Sequence, residues 1–188
     1  MYARYVKRIC DVALAIAATI VLAPVMAIAA VAILLDDGSP AIFKQRRVGL
    51  DGREFTVFKF RSMAIDTGDV AKARAQAARV TRVGRIIRRL NVDELPQLWN
   101  IVRGDMSIVG PRPPLSSQTV LIDLRQRNGA FSCRPGLTGL AQVNAYDGMT
   151  EKTKAMYDGQ YAAHISVGLD LGIIMRTIGY LFRTPPVY

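Results

Sequence analysis

Two adjacent carboxylates, Asp93 and Glu94, have the best setting for chemistry in this sequence. A cationic stretch that ends in Arg88 and Arg89 precedes them, and Arg112 follows, held between two prolines. Arginine suits bidentate contacts with phosphate, and a carboxylate without a histidine partner can itself attack phosphorus. The second carboxylate can help to hold Mg²⁺, a hard ion that neutralises phosphate charge. The pair therefore indicates phosphoryl transfer.

A purely structural explanation of the same pair competes with this one. Acids in the first turn of a helix stabilise it by about 0.3–1 kcal/mol each, because they complement the helix dipole. Asn91 stands three residues before Glu94, a spacing that predicts a capping box. Gly104 is expected to end the helix. Helical spacing is shown by the apolar residues Leu95, Leu98, Trp99 and Val102.

Composition narrows the chemistry and the partners. The 188 residues contain one histidine, His164, which excludes a Cys/His zinc site and argues against a histidine-activated nucleophile. Cys10 and Cys133 do not make a disulfide framework. The net charge of +10 indicates an anionic partner, which is nucleic acid, anionic lipid or a phosphorylated substrate.

The segment Val12–Leu35 has no charged residue and predicts a membrane helix. A simple transmembrane anchor is one interpretation. Pro24, at the middle, removes a backbone hydrogen bond and divides the run into halves of roughly 18 Å each. Cationic residues flank both ends, and both flanks favour the cytoplasmic side. We therefore expect a re-entrant helix, broken at Pro24, that enters and leaves on the same face.

The remainder of the chain, residues 36–188, predicts one mostly helical α+β domain. Ala41–Phe43 and Phe55–Phe60 are expected to form a hairpin, with Asp51-Gly52 in its turn. Leu169–Phe182 predicts an apolar helix that belongs either to the core or to the membrane interface.

A basic helix is predicted over Val70–Leu90, which carries seven Lys/Arg and no acid. Its cations form either a solvated face or a surface for lipid head groups or a diphosphate. An apolar stripe at helical spacing would consist of Val83, Ile86, Ile87 and Leu90.

A series of motifs, in order along almost the whole chain, resembles the monotopic phosphoglycosyl transferases, the bacterial sugar transferase family. These motifs are Lys7–Asp11, Phe43–Gly49, Phe58–Met63, Thr81–Arg88, Asp93–Leu98, Gly104–Ser107, Val109–Pro113 and Arg134–Asn144. The resemblance implies transfer of a sugar-1-phosphate from a UDP-sugar to polyprenyl phosphate, usually undecaprenyl phosphate. The family also has a re-entrant helix broken at a proline, which fits Pro24.

The resemblance also implies roles for individual residues. Asp93 would be the nucleophile that forms a phosphosugar–aspartyl intermediate, and Glu94 would complete the dyad. Both would serve a Mg²⁺ site. Binding of the phosphates or the nucleotide would fall to Lys59, Arg61, Arg88, Arg112 and Gln142.

The expected setting is the cytoplasmic face of the bacterial inner membrane. A homo-oligomer and pathway glycosyltransferases are further partners that the resemblance allows, and the sugar and the glycoconjugate pathway stay open. A membrane-tethered nucleic-acid-binding module is disfavoured, because no aromatic residues interleave with the basic run. A non-catalytic scaffold of a glycan assembly complex is the remaining alternative, and the intact Asp93-Glu94 pair argues against it.

Overall fold

The computed structural model of the chain describes residues 2–64, 80–145 and 149–181. The helices within these residues are α1 (Lys7–Asp37), α2 (Arg82–Arg89), α3 (Gln97–Arg103), α4 (Thr119–Arg127), α5 (Leu140–Val143), α6 (Glu151–Ala163) and α7 (Val167–Leu181). The strands are β1 (Ile42–Val48), β2 (Glu54–Phe60), β3 (Ser107–Val109) and β4 (Gly136–Thr138). The expected α+β class, mostly helical with a short hairpin, is confirmed.

The long N-terminal helix α1 does not stop at its proline. It runs over 31 residues, about 46 Å, with Pro24 inside it. The predicted break at Pro24 is therefore wrong at the level of secondary structure. Proline removes one helical hydrogen bond, but its fixed φ is compatible with a helix. That loss is tolerated because the helix packs against the rest of the protein on both sides of the proline, through Ala15 and Ala29.

One narrow stripe of α1 faces the protein along the whole helix. The buried positions on this stripe, which lie on one face at helical spacing, are Lys7, Asp11, Ala15, Ala29 and Ile33. The other faces expose large apolar side chains to the surroundings. The most exposed of them are Ile9, Ile20, Val21, Ile28 and Leu35, at 69–84%. By length and composition α1 can cross a membrane, with a mean hydropathy of 2.7 in its most apolar window.

The hairpin β1–β2 is antiparallel, with Ile42 opposite Phe60 and Val48 opposite Glu54. It confirms the sequence prediction, although β1 is longer than expected. A short 3-10 turn over Leu50–Gly52 joins the strands. Asp51 and Gly52 both have positive φ, 54° and 73°, which the Asp-Gly pair adopts readily. The turn directs β2 back beside β1, so that Lys59 near its end faces the site.

The described part of the predicted basic helix is α2, and residues 70–79 lie outside the described residues. The side chain of Thr81 caps the helix by accepting a hydrogen bond from the Gly84 amide at 2.9 Å. Only half of the apolar stripe predicted over Val83–Leu90 faces the protein. Ile87 is buried and Val83 packs beside it, whereas Ile86 and Leu90 are 60% and 62% exposed.

The segment around the carboxylate pair differs from the predicted capped helix. Asn91 adopts a left-handed conformation with φ 54°, and its side chain caps nothing. A 3-10 turn over Val92–Glu94 follows, and α3 begins only at Gln97. Pro96 explains the delay, since it has no N–H to continue the hydrogen-bond ladder. Gly104, with φ 101°, ends α3 as expected.

The parallel pair β3–β4 brings the backbones of Gly136 and Gly139 into direct contact with the backbone of Gly110. A Cβ on Gly110 would lie 2.3 Å from the carbonyl oxygen of Arg134, and one on Gly139 would lie 2.1 Å from the carbonyl oxygen of Gly110. The Gly110 amide donates to the Thr138 carbonyl at 2.8 Å. Only glycine permits this approach. The segment that carries Arg112 is thereby fixed to β4.

Gly110→Ala should destabilise the protein strongly. The new methyl group would overlap backbone atoms that cannot move independently, and we expect a loss of about 3 kcal/mol in the free energy of unfolding. Gly172→Ala in α7 is the matched control, because nothing lies within 4 Å of its added Cβ. It should leave stability unchanged or raise it by up to about 1 kcal/mol. Thermal unfolding of both variants in detergent checks the difference, and equal midpoints would contradict the glycine contact.

Candidate active site

Glu94 lies between two cations that come from distant parts of the chain. Its Oε1 is 2.9 Å from Lys59 Nζ and 2.6 Å from Arg112 Nη2, while Oε2 is 3.5 Å from Arg112 Nη1. The side chains of Lys59, Glu94 and Arg112 are 17%, 16% and 29% exposed. These three predicted site residues therefore form one partly buried charge cluster.

Three different elements deliver this cluster. Lys59 is the penultimate residue of β2, Glu94 ends the 3-10 turn before α3, and Arg112 lies in the proline-rich segment after β3. Asn100 of α3 fixes β2 to this helix. Its Oδ1 accepts from the Phe58 amide at 3.1 Å, and its Nδ2 donates to the Thr56 carbonyl at 2.7 Å. The fully buried amide thus takes the place of a neighbouring strand along β2, beside Lys59.

Opposite charges determine the ionisation of the cluster. Burial is the largest single effect on Glu94 and would raise its pKa, but Arg112 and Lys59 together outweigh it and hold that pKa well below its ordinary value. Burial lowers the pKa of Lys59, while the negative charges of Glu94 and Asp93 oppose that shift. Glu94 is therefore a fixed negative charge at neutral pH.

Asp93, the predicted nucleophile, is only 8% exposed and lies on the same 3-10 turn as Glu94. The turn is preceded by the left-handed residue Asn91, whose carbonyl accepts from the Glu94 amide at 3.2 Å. Asparagine adopts the left-handed conformation more readily than most other non-glycine residues, so the turn can begin at Asn91 without a glycine. The backbone at Asn91 thus sets the direction of both carboxylates.

Three other predicted site residues make contacts outside the Glu94 cluster. Arg61 is buried, and its Nη2 donates to the carbonyl oxygens of Asp37 and Gly38 at the end of α1. Arg88 donates from Nε to Ser62 Oγ at 2.7 Å. Gln142 donates from Nε2 to the carbonyl oxygen of Leu137 at 3.0 Å. Substrate contacts of these residues stay predictions, and the contacts of Arg61 are those of a helix cap.

The sequence model of the bacterial sugar transferase family matches residues 2–184 of the chain. The chain belongs to this family. The resemblance stated from the sequence motifs is thereby confirmed.

Individual members of the sugar transferase family cover almost all of the chain. It is 43% identical to the UDP-glucose:undecaprenyl-phosphate glucose-1-phosphate transferase of Caulobacter vibrioides, over 97% of this chain and 72% of that protein. It is 35% identical to the UDP-galactose-lipid carrier transferase of Erwinia amylovora, over 98% of this chain and 42% of that protein. It is 39% identical to an Aeromonas hydrophila UDP-N-acetylgalactosamine-undecaprenyl-phosphate N-acetylgalactosaminephosphotransferase, over 93% of this chain and 43% of that protein. The chain thus spans less than half the length of the last two relatives.

Asp93 and Glu94 would supply two carboxylate ligands for a divalent metal ion in this sugar transferase. The described residues hold no group of three or more His, Cys, Asp or Glu side chains that could form a complete cage. Two carboxylates fit Mg²⁺, which commonly takes one or two of them together with substrate phosphates and water. The donor set is compatible with a metal that binds together with its diphosphate substrate.

Sequence reasoning missed three residues that support the site, Asn100, Arg125 and Asp158. Asn100 joins α3 to β2, and Arg125 donates to the carbonyl oxygen of Arg112 at 2.8 Å. Asp158 pairs with Arg125. Each is a polar residue within a helix, and neither spacing nor composition distinguishes such a residue from one on a solvated face.

Stability should report the ionisation of Glu94. Because its pKa is lowered in the folded state, its contribution is complete above the unfolded value of about 4.3 and is lost as the pH falls towards the folded pKa. The difference in thermal midpoint between wild type and Glu94→Gln should therefore be largest at pH 6–7 and shrink below pH 4.

Asp123→Asn provides the control for this measurement. Asp123 forms an exposed ion pair with Arg127, with side chains 56% and 76% exposed, so its variant should follow wild type closely throughout. A midpoint difference for Glu94→Gln that does not change with pH would contradict the assigned ionisation.

Proposed function

We propose that this chain is a phosphoglycosyl transferase that moves a sugar-1-phosphate from a UDP-sugar to a polyprenyl phosphate, undecaprenyl phosphate in bacteria. The observation that carries the proposal is the buried Asp93 on the same turn as Glu94, whose carboxylate pairs with Lys59 and Arg112, in a member of the sugar transferase family. The Caulobacter relative is named for this reaction with glucose. The chain is therefore an enzyme rather than a non-catalytic scaffold.

The reaction proceeds in two displacements at one phosphorus atom. The Asp93 carboxylate attacks the β-phosphorus of the UDP-sugar, the bond to the bridging oxygen breaks, and UMP leaves with its electrons. A phosphate oxygen of the polyprenyl phosphate then attacks the acyl phosphate and releases the Asp93 carboxylate. The product is polyprenyl diphosphate sugar. Each step exchanges one P–O bond for another, so no redox partner is needed.

The cations beside the dyad balance the charge of these steps. Lys59 and Arg112 already compensate the negative charge of Glu94, and both are within reach of a phosphate that approaches it. Asp93 and Glu94 would hold Mg²⁺. The ion would shield the diphosphate from the approaching carboxylate.

The acceptor substrate of the proposed enzyme, polyprenyl phosphate, lies in the membrane, so the protein must contact the bilayer. Both ends of α1 contact the same domain. Lys7 Nζ is 2.8 Å from Asp170 Oδ2 near the start, and Arg61 Nη2 is 3.2 Å from Asp37 Oδ2 at the end. A helix that crossed the bilayer would carry one of its ends away from that domain. The contacts support insertion from one face, with residues 1–35 and 36–188 forming one functional unit.

Helix α7, which contacts the start of α1, carries a second exposed apolar stripe. Its exposed stripe consists of Val167, Leu171, Met175 and Ile178, which are 43–67% exposed. Asp170, on its buried side, connects it to Lys7 at the start of α1. The stripe suits the interface between head groups and acyl chains. Cationic residues on both flanks of the apolar run favour the cytoplasmic face of the inner membrane.

Asp93→Asn should abolish release of UMP from UDP-sugars in the presence of Mg²⁺ and polyprenyl phosphate. The amide cannot attack phosphorus, so the rate should fall by about 10³-fold or more. Asp51→Asn is the control and should retain full activity, because Asp51 lies in the hairpin turn and asparagine tolerates its positive φ. Mass spectrometry of wild type with donor alone should find a phosphosugar adduct on Asp93. Normal turnover by Asp93→Asn would overturn the nucleophile assignment.

Single-cysteine labelling in sealed vesicles tests the topology, in a background in which Cys10 and Cys133 are both replaced by serine. Cysteines at Ala3 and Ser39, which flank α1, should both react with a polar reagent from the cytoplasmic side. A cysteine at Val21, 73% exposed near the middle of α1, should be protected by lipid. Reaction at Ser39 together with protection at Ala3 would instead indicate a helix that spans the bilayer.

A further inference from the structure

The segment that carries Arg112 is held through its carbonyl groups. Three of its residues are prolines, which have no N–H, so the segment cannot join a sheet through a regular ladder. Four successive carbonyls, from Pro111 to Pro114, each accept a hydrogen bond from a different donor. In chain order the donors are the Gly136 amide at 2.9 Å, Arg125 Nη1 at 2.8 Å, Arg47 Nη1 at 3.1 Å and the Val48 amide at 3.0 Å.

The donor to the Arg112 carbonyl is a deeply buried charge. Arg125 of α4 is paired with Asp158 of α6, and their side chains are 3% and 1% exposed. Arg125 Nε is 2.9 Å from Asp158 Oδ2, and Nη2 donates to the same oxygen. The third nitrogen, Nη1, remains directed at the Arg112 carbonyl. One guanidinium therefore joins two helices to the backbone of the phosphate-binding arginine.

Stability alone gives no reason for such a pair. Removing two charges from water costs several kcal/mol per ion, and an apolar pair of similar volume often stabilises a protein as well or better. The apolar pair cannot supply the N–H that fixes the Arg112 carbonyl. Lysine cannot replace the arginine either, because its single nitrogen lacks the rigid fork that serves two acceptors in fixed directions. The planar guanidinium of Arg125 is thus what allows one side chain to contact both Asp158 and the Arg112 carbonyl.

We propose that Arg125, oriented by Asp158, is a positioning residue that aims the Arg112 guanidinium at the reacting phosphate. Fixing the carbonyl of a residue fixes the direction in which its own side chain leaves the backbone. Arg112 must reach both Glu94 and a phosphate, so a small rotation of this peptide displaces its guanidinium. The inference rests on the proposed function and adds to it the two residues that orient one phosphate-binding group.

Steady-state release of UMP tests this role. Arg125→Lys should lower kcat/KM for the UDP-sugar by about tenfold to a hundredfold, as misplacement of a substrate-positioning group does. The double variant Arg125→Met with Asp158→Leu should show the same loss while its thermal midpoint stays within about 5 °C of wild type. Arg127→Lys on the same helix is the matched control and should have wild-type kinetics, because its ion pair with Asp123 is exposed.

A double-mutant cycle with Arg112→Ala separates positioning from a general structural effect. If Arg125 acts through Arg112, then adding Arg125→Lys to Arg112→Ala should change kcat/KM by less than about twofold. A loss that persists undiminished in the Arg112→Ala background overturns the proposal, as does wild-type kcat/KM for Arg125→Lys alone. If the double apolar variant fails to fold, the cycle with Arg125→Lys still decides. Absence of UMP release by the wild-type protein would overturn the proposed function itself, and the positioning role with it.

Discussion

The arrangement of the site depends on one interaction, the compensation of the Glu94 carboxylate by Lys59 and Arg112. Two cations brought together without an anion between them would repel, and burial would strengthen that repulsion. Glu94 removes the conflict and keeps both cations close in the absence of a phosphate. The binding groups of the cluster are therefore already in place when a diphosphate arrives. This is the condition for preorganised electrostatic catalysis.

Such a cluster must be positioned by something more rigid than its own flexible side chains. Lys59 is fixed through β2, whose edge is satisfied by the buried amide of Asn100. The carboxylates lie on a short turn between the left-handed Asn91 and Pro96, where an α-helix cannot continue. Arg112 lies in a segment rich in proline that packs on glycine backbones. Each support limits the freedom of the backbone. The Cα atoms from which the long side chains of the cluster extend are therefore held in place.

The carboxylate pair and Arg112 could be singled out from sequence because their patterns are local, whereas Lys59 was implied only by the family resemblance. Adjacent carboxylates, an arginine between prolines and an Asp-Gly turn are short patterns with a physical meaning. The supports are not local. The ion pair between Arg125 and Asp158 joins positions 33 residues apart.

The errors have similar causes. Asn91 follows the rule for a helix cap, but the nearby Pro96 delays the helix and leaves Asn91 in a left-handed turn. Pro24 predicts a break when its segment is considered alone. Packing of α1 on both sides of the proline keeps the helix continuous, and no single-segment pattern contains that information.

The same packing connects the apolar helix to the chemistry. Arg8, near the start of α1, donates to the carbonyl oxygens of Ile101 and Val102 at 2.7 Å and 3.1 Å, where α3 ends. A cation at a helix C-terminus satisfies free carbonyls and complements the dipole. Helix α3 begins three residues after Glu94, so a single short helix separates the carboxylates from the helix that contacts lipid in the proposed topology. The depth of α1 in a bilayer would then set the height of the carboxylates above it, which suits a reaction whose acceptor phosphate stays at the head groups.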